Sequence, residues 1–226
     1  MPDQVSIGRP LLLGHRGARA VRSIPENSIE SFERALADGC DGFEFDVRLT
    51  ADGVAVVCHD PVYKRIEIAR APAEQLRVLP RLEDVLQRFH ERAFLDIELK
   101  VEGLERITVE LLRKHPPSRG YVVSSFHERV LYAVYKQDKT VPLGYICESR
   151  EELGEWMEVP CNYVIPHHSL ITEPLLAAFR DVRKSVLVWT VNDRKRMIRL
   201  RDLGVDGIIS DKPALLRETL ADQDRG

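Results

Sequence analysis

The chain has 226 residues, 44% hydrophobic and 31% charged, with 33 basic against 36 acidic side chains and a formal net charge of −3. That length can bury a substantial core, and balanced charge with ordinary apolar content excludes a disordered chain. A sequence pI of about 6.2 argues against nucleic-acid binding by bulk positive charge, and no run approaches the roughly 18 uninterrupted apolar residues of a membrane span.

In chain order, Met1 to Pro10 carry Asp3 and no early basic cluster, and Leu11-Leu12-Leu13 is too short for the apolar region of a signal peptide. A cytoplasmic protein is expected. Residues 10–14 (PLLLG) read as a first strand. Residues 28–38 read as an amphipathic helix opened by Asn27 or Ser28 and closed by Gly39. Further strands are expected at 42–47, 93–99, 121–125, 142–146, 162–165, 186–190 and 206–209. Helices are expected at 82–91, 103–115, 127–137, 149–157, 173–182, 193–203 and 213–221. Thr172 with Pro174, Asn192 or Asp193, and Asp211 open the last three helices, and Gly204 closes the seventh.

Strands apolar on both faces, alternating with helices, predict a parallel sheet. Eight strand–helix units in 226 residues, about 28 residues each, favour a closed α/β fold, the (β/α)₈ TIM barrel, over an open doubly wound sheet. No G-x-G-x-x-G follows the first strand, which weakens a dinucleotide-binding reading. The units use up the chain, so residues 1–226 are expected to form one domain. One strand-like run is left over, 54–58 (VAVVC), and Asp52-Gly53 before it predicts a β-hairpin with the second strand. A two-residue loop at Asp52-Gly53 would set Asp46 opposite His59, and one at Ala51-Asp52 would set Glu44 there. Either register keeps His59 on the carboxylate face.

Cys40, Cys58, Cys147 and Cys161 form no C-x-x-C pair and are expected to be buried free thiols.

Charges stand where barrel strands should be apolar. In 42–47, Phe43, Phe45 and Val47 share one face, and Glu44 and Asp46 the other. In 93–99 and its exit, Leu95, Ile97 and Leu99 oppose Asp96, Glu98 and Lys100. An inward carboxylate costs several kcal/mol unless it is paired or binds a metal. Glu44, Asp46 and Glu98 therefore read as an all-oxygen site for Mg²⁺ or Ca²⁺, weighed against ion pairing with Arg16 and Lys100. His15 ends the first strand and His59 reaches the same mouth. Two imidazoles there can act as general base and general acid. Arg16 offers a bidentate fork for phosphate or carboxylate. Trp189 reads equally as core or as an apolar wall for a small polyol or alkyl group. Glu26 either caps the first helix or reaches the metal site, and His167-His168 read as solvated loop residues.

These residues resemble the glycerophosphodiester phosphodiesterase family, a (β/α)₈ barrel group. The resemblance rests on His15-Arg16-Gly17, Pro25-Glu26-Asn27-Ser28, Glu44-Phe45-Asp46-Val47, Thr50-Ala51-Asp52-Gly53, Val56-Val57-Cys58-His59-Asp60 and Glu98-Leu99-Lys100. Ser125-Phe126, Trp189-Thr190-Val191-Asn192 and Gly204 to Pro213 continue it. Each motif alone is weak, but the ordered set spans nearly the whole chain and is highly specific. The resemblance implies that His15 and His59 are the acid–base pair and that Glu44, Asp46 and Glu98 hold the metal. It also implies that Arg16 and Lys100 bind phosphate, that Glu26 supports the site and that Trp189 shapes the substrate pocket. The implied reaction is metal-dependent hydrolysis of a glycerophosphodiester to glycerol 3-phosphate and an alcohol. The chain departs from the family after His59-Asp60. In place of a longer segment with a leucine–arginine–threonine–threonine pattern it has Pro61-Val62-Tyr63-Lys64-Arg65-Ile66, with 38 residues between His59 and Glu98. The insertion, and with it the cover over the pocket, is short. Three alternatives stand beside this reading: a lysophospholipase D on lysophospholipids, a non-catalytic phosphoester-binding module, and a metal-dependent lyase or aldolase. The expected partner is a small-molecule substrate, with no nucleic acid and no stable membrane insertion. Oligomeric state is not legible.

Overall fold

The computed structural model describes residues 9–221. The N-terminal segment read above for a leader falls outside these residues except for its last two. In chain order, β1 (Leu11–Gly14) leads to α1 (Ile29–Ala37), then β2 (Gly42–Leu49), β3 (Ala55–Val57), β4 (Val62–Tyr63) and β5 (Ile66–Glu67). α2 (Leu82–Phe89), β6 (Phe94–Leu99), α3 (Glu105–Lys114), β7 (Tyr121–Ser125) and α4 (Glu128–Gln137) follow. Then come β8 (Leu143–Cys147), α5 (Arg150–Gly154), β9 (Tyr163–Pro166), α6 (Glu173–Asp181), β10 (Ser185–Val188), α7 (Arg194–Leu203), β11 (Gly207–Ser210) and α8 (Pro213–Ala221).

Eight parallel strands run in the order β1-β11-β10-β9-β8-β7-β6-β2, and the β1–β2 pairing closes them into a (β/α)₈ barrel. Period two sorts the side chains. Phe43, Phe45, Val47, Leu95, Ile97 and Leu99 point outward into the layer shared with the helices. There Phe32 of α1 stacks on Phe43 at 4.2 Å, and Phe89 of α2 meets Phe43 edge-on at 5.0 Å. A separate apolar cluster of Leu13, Phe94, Val122, Ile146, Ile165, Leu187 and Ile209 fills the barrel interior. Gly42 permits this filling, because a Cβ there would lie 1.9 Å from the Phe94 carbonyl oxygen.

The caps decide where helices begin. Ser28 accepts from Ser31 N at 3.1 Å and caps α1, which leaves Asn27 free for other work. Asp193 caps α7, and Gly204 ends it at φ 77°. Asp211 does not open α8; the helix starts at Pro213, and Asp211 turns back toward β1.

β3 pairs antiparallel with β2 through Val47↔Val57, Arg48↔Val56 and Leu49↔Ala55. This register lies one residue from both expected ones. Thr50 closes the loop by bonding Val54 in both directions, so residues 51–53 form a three-residue loop with Gly53 at φ 81°. Cys58, not His59, stands opposite Asp46, its N–H donating to the Asp46 carbonyl at 3.0 Å. The short insertion forms the β4–β5 ribbon and two 3₁₀ turns. Ile68, Ala71 and Leu76 of this segment pack on Val56 and Cys58 as a third small core.

Candidate active site

The register sets Glu44 beside Asp96 and Asp46 beside Glu98 on adjacent strands, all four buried inside the barrel. Ligand oxygens of Glu44, Asp46 and Glu98 lie within 4.8 Å of one another. Lys100 Nζ lies 2.6 Å from Glu98 Oε1 and 3.4 Å from Asp46 Oδ1, and Arg16 Nε lies 3.3 Å from Asp46 Oδ2. Asn27 Nδ2 donates to Asp46 Oδ2 at 2.8 Å, and Ser124 Oγ donates to Asp96 at 2.5 Å.

The compensation is uneven. Burial drives the Glu44 carboxyl well above the usual range, and Asp46, Glu98 and Asp96 add to the effect. Burial, then the charge of Asp46, pushes Glu98 up to about 7 against Lys100, and burial pushes Asp96 up to about 7 against Ser124. Asp46 resists its own burial because Lys100, Arg16 and Asn27 outweigh it, and it lies below the usual carboxylate range. Glu44 Oε1 is buried with no hydrogen-bond partner among the described residues. An orphaned oxygen within a cluster of carboxylates with excess negative charge fits a hard divalent cation held by Glu44, Asp46 and Glu98.

His15 follows Gly14 at the end of β1. Its backbone N–H donates to the Ser210 carbonyl at 2.8 Å. Its Nδ1 lies 2.7 Å from Asp211 Oδ1, and its Nε2 lies 3.8 Å from Glu44 Oε2. Arg16 takes a left-handed backbone at φ 50°. Its N–H donates to Glu44 Oε2 at 2.9 Å, while its guanidinium holds Glu26 at 2.8 Å. Glu26 also accepts from Arg19 at 2.8 Å, so it buttresses Arg16 and neither caps α1 nor joins the carboxylate cluster.

His59 follows β3, and its carbonyl accepts from Arg48 Nε at 2.7 Å. Its Nδ1 lies 2.8 Å from Asp60. Its side chain is 34% exposed against 13% for His15.

One cavity of about 190 Å³ is lined by His15, Arg16, Glu44, His59, Glu98 and Lys100 on its polar side. Phe126, Ile146, Ile165, Trp189 and Ile209 form the apolar side. Trp189 is both structural and exposed to the cavity: its indole N–H donates to the Ile165 carbonyl at 2.9 Å, and Phe126 meets its ring edge-on at 5.7 Å. His168 is not a solvated loop residue. Arg196 Nε donates to its Nδ1 at 3.2 Å, and burial, then His167 and Arg196, pull its pKa down to about 4.

Seven of the nine residues expected at the site thus line the cavity, Asp46 completes the carboxylate cluster, and Glu26 stands behind Arg16. Asn27, Asn192 and Asp211, expected only as possible helix openers, serve the site instead: Asn27 holds Asp46, Asp211 holds His15 and Asn192 holds Asp211. Their signal was present, since each falls within a motif that carries the resemblance.

Fold and site together define a (β/α)₈-barrel enzyme working at the C-terminal ends of its strands. Residues 15–78 and 68–215 match the model of the glycerophosphoryl diester phosphodiesterase family. A glycerophosphodiester phosphodiesterase of Caldanaerobacter subterraneus is 28% identical over 236 residues, which cover 92% of this chain and 96% of that protein. The crystal structure of a glycerophosphodiester phosphodiesterase from Parabacteroides distasonis superposes with a TM-score of 0.85 at 26% identity, covering 96% of this chain and 99% of that one. An Oleispira antarctica phosphodiesterase, solved with its product sn-glycerol-3-phosphate, shares the fold at a TM-score of 0.82 and 24% identity, covering 93% of this chain and 96% of that one. The chain belongs to the glycerophosphoryl diester phosphodiesterase family and is a phosphodiesterase. Among the described residues, no helix is long and apolar enough to cross a membrane.

Proposed function

We propose that the chain, acting as a single domain over 1–226, hydrolyses glycerophosphodiesters to glycerol 3-phosphate and an alcohol with a divalent cation, Mg²⁺ or Ca²⁺. The observation that carries this reading is the convergence of two histidines, two cations and the carboxylates Glu44 and Glu98 on one cavity, with Asp46 completing the carboxylate cluster beside them. Glu44, Asp46 and Glu98 would hold the cation, which when bound neutralises charge on a non-bridging phosphate oxygen. Arg16 and Lys100 face the same phosphate and stabilise the charge that grows in the transition state. One histidine takes the proton of the attacking hydroxyl, of water or of the neighbouring glycerol, as its oxygen bonds to phosphorus. The other gives a proton to the bridging oxygen as its bond to phosphorus breaks, so the alcohol leaves neutral. Where the glycerol hydroxyl is the nucleophile, the cyclic phosphate it forms is opened by water in a second step, with the two histidines exchanging roles, to give glycerol 3-phosphate. The apolar wall of Phe126, Trp189 and Ile209 excludes water from one side and suits the carbon face of a small polyol.

Two observations weigh on the remaining choices. Tyr63, Ile66 and Ile68, which an apolar rim for acyl chains would need, pack on the insertion's own core, and Ile68 is 1% exposed. This favours water-soluble diesters over lysophospholipids. All four cysteines are buried and free, which agrees with the reducing cytoplasm.

The test is turnover of glycerophosphocholine, glycerophosphoethanolamine and their acylated counterparts, with Mg²⁺ or Ca²⁺ and with chelator. The expected result is higher kcat/KM on the water-soluble diesters, lost in chelator and in His15→Ala. Full activity in either of these would overturn the proposal.

A further inference from the structure

We infer that Asp211 is the positioning residue for His15, fixing the imidazole proton on Nδ1 so that Nε2 alone faces the substrate cavity. This rests on the catalytic reading of His15 given above, which does not itself say which ring nitrogen works.

The direction of every bond in the network can be read from groups with only one possible role. The backbone N–H of Asp211 can only donate, and it donates to Asn192 Oδ1 at 3.0 Å. Ser210 Oγ accepts from the Lys212 backbone N–H at 3.1 Å and donates to the same Asn192 oxygen at 3.0 Å. The Asn192 amide is therefore oriented, and its Nδ2 donates to Asp211 Oδ2 at 2.6 Å. Arg19 Nη1, another pure donor, reaches Asp211 Oδ1 at 3.3 Å. Both oxygens of Asp211 are thus acceptors of an ionised carboxylate. The 2.7 Å contact between Asp211 Oδ1 and His15 Nδ1 requires the proton to sit on Nδ1.

The His15 backbone is tied to the same turn through Ser210, so ring and main chain share one anchor. Nε2 is left on the Glu44 side, within the cavity. His59 has no comparable support: its Nδ1 contacts Asp60, the next residue in the chain, which is 73% exposed. The two histidines are built differently, one locked into the end of the barrel and the other held by a surface neighbour.

Long-range ¹H–¹⁵N correlation spectra of the metal-loaded ¹⁵N-labelled protein, recorded in mildly alkaline buffer, report which nitrogen of His15 carries hydrogen. The wild-type protein should show Nδ1–H. In Asp211→Asn, Asn192 Nδ2 keeps the new amide's oxygen turned toward itself, and the new NH₂ faces His15. The proton should move to Nε2, with kcat on glycerophosphocholine falling about 100-fold or more while KM changes less than about threefold. An Nε2–H signal in the wild type overturns the inference without any variant. So does an Nδ1–H signal retained in Asp211→Asn, or an activity loss that appears only in KM or in Tm. A proton that moves as expected in an enzyme that does not cleave glycerophosphodiesters would leave the positioning role standing and refute the substrate.

Discussion

Lys100 Nζ lies between two buried carboxylates on neighbouring strands, 2.6 Å from Glu98 and 3.4 Å from Asp46. Together with Arg16 it supplies the positive charge for a cluster that also contains Glu44 and Asp96. Removing one partner from a buried ionic group leaves an uncompensated charge and is strongly destabilising. Lys100→Met is therefore expected to lower the unfolding free energy in chelator by about 3 kcal/mol. Saturating Mg²⁺ or Ca²⁺ should shrink that loss, because a bound cation replaces part of the missing charge. Urea denaturation under the two conditions measures both values, and a loss unaffected by metal would contradict this account.

The orphaned Glu44 oxygen leads to a second expectation. A ligand bound only by the folded state, at about 100 times its Kd, stabilises that state by about 2.7 kcal/mol. Divalent metal should raise Tm by several degrees, and Glu44→Gln should shrink the shift and weaken binding in calorimetry. Identical melting with metal and with chelator would refute a cation site here.

Gly42 is expected to be intolerant of any side chain. A Cβ at this position would meet the Phe94 carbonyl oxygen at 1.9 Å and its carbonyl carbon at 2.7 Å, both backbone atoms of the paired strand. Gly42→Ala should cost more than about 4 kcal/mol or prevent folding. Gly53→Ala, where no atom lies within 4 Å, should cost only the left-handed backbone strain of about 1 kcal/mol. Comparable losses in the two variants would show that strand contact does not set the first.

Glu33 carries a pH-dependent part of the stability far from the site. Arg92 holds it with paired bonds at 2.8 Å and Arg88 with another at 2.8 Å, which keeps its carboxyl down at about 2. A depressed carboxyl stabilises the fold above its unfolded value of 4.5, and the contribution is lost as pH falls toward about 2. Glu33→Gln should therefore cost about 1 kcal/mol at neutral pH, since the pair is partly solvated. The two proteins should converge in stability between pH 4.5 and 2. A constant gap down to the acid end would rule out this source.

The barrel was legible because its strands are apolar on both faces, and the site because Glu44, Asp46, Asp96 and Glu98 break that rule. What escaped were residues whose local and long-range roles share one chemistry. Asn27 and Asp211 sit before helices, where short polar side chains usually cap, yet Ser28 caps α1 and Asp211 reaches 196 positions back to His15. No periodicity encodes a bond of that span. The hairpin register was missed for a smaller reason: Asp52-Gly53 favours a two-residue loop, but the Thr50 hydroxyl bonds both Asp52 and Val54 and holds a three-residue loop instead.

The β1–β11 seam joins the first strand to the last among the described residues. Until Gly207–Ser210 has been synthesised, β1 keeps one open edge, and the His15 main chain lacks the Ser210 carbonyl it is tied to. A prematurely terminated product, even one containing every carboxylate and both histidines, would carry an unfinished cavity. Cleavage of diesters is therefore expected only once β11 has been made and paired with β1.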